Sequence, residues 1–130
     1  MPNAHIGLRK AIQRSLDTDP IIQSIINKRD LTQDASQFGQ VDVRDSESWP
    51  WRSATFDGMR HKFLIAAHVG KSEQARADQL CVAIVEKLDD ANIELPGHAL
   101  IELSLKHSAM GPADNSLSCE LEFEALTISD

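Results

Sequence analysis

The chain has 130 residues, of which 42% are hydrophobic and 25% charged, and residues 1–130 suit one globular domain with its own core. Aromatic residues are only 5% of the total and Tyr is absent, so that core must be aliphatic. A formal net charge of −7 disfavours broad nucleic-acid binding and a basic membrane-surface role, and no sequence-specific nucleic-acid partner is expected.

In chain order, Leu8, Ala11, Ile12 and Leu16 recur at helical spacing and predict a first helix over Ile6–Leu16. Asp19 suits an N-cap and Pro20 the first helical position, which predicts a second short helix over Pro20–Asn27. Lys28–Ser36 is polar and reads as a loop, followed by a weak strand over Phe38–Arg44. Asp45–Gly58 holds Trp49-Pro50-Trp51 among Ser, Asp and Glu, and is expected to be a long loop.

From Met59 the pattern sharpens. His61, Phe63, Ile65, Ala67 and Val69 share one face of a strand, and apolar residues on both faces at its centre predict an interior position. Ser72 is placed to cap a helix over Ser72–Ala91, with Leu80, Ile84 and Leu88 on its apolar face. Ala99, Ile101, Leu103 and Leu105 line one face of the next strand, and Met110–Asn115 reads as a hairpin-like loop. In the last strand Leu117, Cys119, Leu121, Phe123 and Ala125 alternate with Ser and Glu. Leu126 and Ile128 fall out of phase there, which predicts a bulge or a change of burial near Ala125. The fold class is therefore α+β: a mainly antiparallel sheet of about four strands with helices packed on one face.

The residues that usually carry chemistry do not form a motif. His5, His61, His68, His98 and His107 are scattered without ligand spacing and are expected at the surface or a sheet edge. Cys81 and Cys119 fall on apolar faces and are expected to be buried, reduced thiols, with a disulfide between them left open. No phosphate-cradling glycine loop or nucleophile elbow is present. The expectation is a non-enzyme with no cofactor and no metal. Met1–His5 lacks the features of a signal peptide and no apolar run is long enough to span a bilayer, which predicts folding in the cytoplasm without a membrane partner.

Two groups stand out as candidate subunit contacts. Trp49 and Trp51 flank a proline in a polar setting, where they either tuck into the core or anchor a contact with another subunit. Glu120, Glu122 and Glu124 form a ladder on one strand face, suited to a solvated or partner-facing surface. Arg60 and Lys62 are candidate partners on the next strand or the next subunit.

Several local words carry a resemblance. They are Leu8-Arg9-Lys10-Ala11-Ile12 with Leu16-Asp17-Thr18-Asp19-Pro20, the strand Lys62–Val69, the helix end Val85–Ala91, Leu95-Pro96-Gly97-His98 and the closing Cys119–Thr127. Together they resemble a family of small phage and prophage tail-completion proteins, also found in gene-transfer-agent clusters and similar to tail terminators of long-tailed phages. The resemblance is best from Arg60 to Thr127 and implies a regular strand before Met59, where Thr32–Asp57 is polar here. It implies a ring, typically hexameric, that caps the tail tube. Its partners would be further copies of itself, the major tail tube protein and a head–tail connector or stopper protein. It would assemble in the cytoplasm and end in the virion. The alternative is a small-ligand-binding or regulatory interaction domain without catalysis.

Overall fold

The computed structural model describes residues 4–27, 40–52, 57–70, 74–113 and 116–129. Helices α1 (Ala4–Thr18) and α2 (Pro20–Asn27) precede strands β1 (Gln40–Arg52) and β2 (Asp57–Gly70). Helix α3 (Gln74–Leu88) and strands β3 (His98–Ala113) and β4 (Ser116–Ser129) complete the order. The Asp19 carboxylate accepts the Ile22 amide at 3.0 Å, so α2 starts on the cap and proline expected there. Ser72 and the Lys28–Ser36 stretch lie outside the described residues.

The four strands form one antiparallel sheet in the order β1-β2-β4-β3. β2 is interior, as its two apolar faces require. The helices lie on one face: α1 over β1 and β2, α3 over β2, β4 and β3. Leu8, Ile12 and Leu16 of α1, Leu80, Ile84 and Leu88 of α3, and Phe63, Ile65, Leu121 and Phe123 of the sheet meet there with no more than 1% of their surface exposed. The core is aliphatic with two Phe rings at its centre, as the scarcity of aromatics dictates.

Helix α3 stops at Leu88 rather than Ala91 because Asp90 takes a left-handed conformation (φ 60°), which Asp tolerates better than most residues. The reversal is tied to β3: the Asp90 amide donates to the Leu103 carbonyl at 2.9 Å, and the Asp89 carboxylate accepts the Leu105 amide at 3.0 Å.

Four expectations are corrected. Asp45–Gly58 is not a loop. β1 runs unbroken to Arg52, with one bulge between Val43 and Ser46, and turns back into β2 at Asp57. Because β1 is an edge strand, only one side of its backbone must find partners, so Pro50 and exposed polar side chains are tolerated. Met110–Ala113 likewise continues β3 as a ladder against Cys119–Ser116, despite Gly111 and Pro112, because β3 is the other edge. Ile101 does not share a face with Leu103: a register shift between Leu100 and Glu102 leaves it 54% exposed. That shift lies opposite Leu126 and Thr127, and the change of burial expected near Ala125 is found in β4, where Ala125, Leu126 and Thr127 are consecutively buried.

The fourth correction concerns the cysteines. Cys81 on α3 and Cys119 on β4 are joined in a disulfide across the core, 38 residues apart in sequence, rather than standing as separate thiols. Each does lie where its apolar face was expected, and their meeting follows from the packing of α3 on β4.

Candidate assembly surface

The face of the sheet away from the helices is the candidate site. Its composition follows from strand alternation: with Phe63, Ile65, Leu121 and Phe123 turned to the helices, the intervening residues of β2 and β4 must point the other way. Glu120, Glu122 and Glu124 therefore share that outer face with Ala66, Leu64 and Lys62, their direct partners on β2. Across the β1–β2 ladder, Glu47 lies opposite Lys62 and Trp49 opposite Arg60. The β1 bulge puts Glu47, Trp49 and Trp51 on this face although Val43, before the bulge, points to the core. The two tryptophans and the glutamate ladder, far apart in sequence, thus occupy one surface.

Neither tryptophan is a core residue. Trp49 is 37% exposed and Trp51 is half-buried. The Arg60 guanidinium sits 5.8 Å from the centre of the Trp51 ring, a cation–π distance. Gly58 faces Trp51 and makes its position possible. A Cβ there would lie 2.5 Å from the Thr127 carbonyl oxygen and 3.3 Å from the Trp51 ring.

At the centre of the face, Lys62 bridges two strands. Its ammonium lies 3.1 Å from the Glu122 carboxylate and 3.7 Å from that of Glu47. The hydrogen bond and charge of Glu122, with the weaker pull of Glu47, raise the Lys62 pKa above its ordinary value. These groups surround a shallow depression of about 280 Å³ that also takes in Ser46 and Leu64. Of the basic partners expected for the glutamate ladder, Lys62 is engaged within the chain. Exposed pairs of this kind add little to stability. They leave a fixed charge pattern on the outer face.

His98 and His107 lie on the edge strand β3 as expected, whereas His61 departs furthest from expectation. His61 is fully buried. One ring nitrogen is 2.8 Å from the Thr127 hydroxyl and the other is 3.0 Å from Nδ1 of His5, whose ring stacks on it at 5.2 Å and on Phe63 at 5.1 Å. Such a bond between ring nitrogens needs one N–H and one lone pair, so both rings cannot be charged. Burial, followed by the charges of His5 and His98, pushes the His61 pKa down to about 4. Burial and nearby Arg9 lower that of His5 as well. This cluster is on the helix side of the sheet, away from the tryptophans and the ladder. Among the described residues no three side chains come together as metal ligands. The alternation of β2 put His61 on the core face; its residue type argued for the surface, and only the fold brings His5 to it.

Among the described residues no helix is long and apolar enough to cross a membrane. The fold is similar to that of a chain in a virion of a native gene transfer agent particle, with a TM-score of 0.81 over 98% of this chain and 100% of that one, at 17% identity. No curated protein matches the sequence. The family model described as "Tail completion protein gp17" matches residues 10–127, from within α1 to near the end of β4. The chain therefore belongs to the tail completion protein gp17 family.

Proposed function

We propose that this tail-completion protein acts as a tail terminator: copies of it form a ring, typically of six, that caps the tail tube and offers the surface to which the head connector joins. The family match over residues 10–127 carries this reading. The outer sheet face supports it. A surface left open by the helices, with Trp49 and Trp51 at one edge and Glu120, Glu122 and Glu124 near the other, combines the aromatic anchors and fixed charges that protein contacts use. A net charge of −7 suits a ring through which nucleic acid passes without being held. Assembly takes place in the cytoplasm and the product stays in the particle tail. In this role the chain turns over no substrate.

Light scattering and negative-stain imaging of the purified chain, alone and with tail tubes, test the proposal. The expected result is a ring, free or seated at one tube end, that is weakened by Trp49→Ala or Trp51→Ala while the fold is kept. A chain that remains a monomer at high concentration and neither binds nor caps tubes would refute it.

A further inference from the structure

The flank of the fold at β3 carries a second uncovered surface, on the helix side. Past the outer side of α3 a cleft of about 470 Å³ opens between Val82, Val85 and Glu86 of α3 and Leu105 and Met110 of β3, with the Cys81–Cys119 disulfide at its base. Val82 is 56% exposed and Met110 37%. The rim is acidic. Glu86 lines the cleft, and Asp78, one turn before Val82, is linked to Met110 through Gln74, whose amide nitrogen lies 3.1 Å from the Asp78 carboxylate and 2.8 Å from the Met110 sulfur.

An apolar centre beside carboxylates calls for an apolar side chain beside cations. Helix α1 presents that pattern: Ile6, Lys10 and Arg14 repeat every four residues along its exposed side, with Ile6 51% exposed. Lys10 and Arg14 form no ion pair among the described residues. Two copies that each carry −7 repel, and a joint that sets a basic patch against an acidic one offsets that repulsion. Position agrees with charge. α1 is fastened to β1 by Gln13, whose side chain donates to the Val41 carbonyl at 3.3 Å and accepts the Val43 amide at 2.9 Å. The stripe thus belongs to the β1 end of the sheet and the cleft to the β3 end. A ring needs two different, complementary patches at opposite flanks of each copy. The strand edges themselves are poor candidates for that joint, because β1 and β3 both carry bulges, proline and charged side chains that discourage ladder pairing.

We propose that the α3–β3 cleft, with Asp78 and Glu86 on its rim, receives the Ile6–Lys10–Arg14 face of α1 from a second copy in a head-to-tail contact. The proposal rests on the assembly reading above and names the surfaces that make the joint.

Charge exchange tests it. One variant carries Asp78→Lys and Glu86→Lys, the other Lys10→Glu and Arg14→Glu. All four positions are exposed, so both variants should keep the parent's circular dichroism and melting temperature. Sedimentation velocity should find each variant alone at least roughly tenfold weaker in self-association than the parent, and an equimolar mixture restored, since each copy then meets a neighbour of opposite pattern. If either variant alone assembles like the parent, or if the mixture is not restored, these surfaces do not meet and the proposal falls while the assembly reading stands. A parent chain that does not assemble under any condition would overturn both.

Discussion

Replacing His61 with Gln should make the protein less sensitive to mild acid. His61 is fully buried and is held neutral down to about pH 4, against an ordinary value of 6.5. The unfolded chain therefore takes up a proton that the folded chain refuses. The stability owed to His61 is fully present above its ordinary value, falls as the pH drops through the interval, and levels off below the folded value. The whole effect is about 3 kcal/mol, and about 2 kcal/mol of it is lost between roughly pH 7 and pH 5, before most carboxylates titrate. That is a large part of the roughly 5–15 kcal/mol that holds a typical domain together. Urea denaturation followed by tryptophan fluorescence at the two pH values gives the difference for the parent, and H61Q should lose about 2 kcal/mol less. His68, also lowered, lies outside this pair, acts in the same direction in both proteins and cancels in the comparison. An H61Q variant that loses as much stability as the parent would refute the argument. So would a carbon-13 titration of the parent in which the His61 ring charges near its ordinary value.

Gly58→Ala should destabilise the fold by about 1–3 kcal/mol in a thermal melt, because the added carbon meets the Thr127 carbonyl and the Trp51 ring on opposite sides; an unchanged melting temperature would contradict the close approach of β2 to both neighbours. Arg76→Met should cost about 1–3 kcal/mol, since the buried guanidinium donates to the carbonyls of Ile25 and Ile26 at the end of α2 and the substitution leaves them unpaired. Hydrogen exchange should then quicken in α2 more than in β2, and equal protection in both would argue against the link.

The C-terminal half was legible because β2, α3 and β4 each bury one full face, and burial writes its period into the sequence. Phe63, Ile65, Leu80, Ile84, Leu121 and Phe123 all lie where that period put them. β1 was not legible as a whole strand because only Val41 and Val43 reach the core; beyond the bulge its residues face outward or pair at an edge, where polarity and proline carry no penalty. The same cause hid the setting of Trp49 and Trp51, which looked like loop residues and are strand residues. The glutamate ladder could be read from alternation alone. Its union with the tryptophans could not, since that depends on β1 lying beside β2 and on a one-residue bulge. The His5–His61 pair and the Cys81–Cys119 bond join residues 56 and 38 positions apart, and no local spacing records such meetings.

The sheet order has a consequence for how the molecule comes into being. β4 lies between β2 and β3, yet it is made after both. Until it leaves the ribosome, the β1–β2 hairpin and β3 have no hydrogen-bonded connection, and the inner edge of each stands open. The Glu120–Glu122–Glu124 strand thus closes the sheet. Its late insertion between two waiting edges delays the appearance of the finished outer face until synthesis of the fold is complete. A nascent copy cannot present that face before β4 is in place.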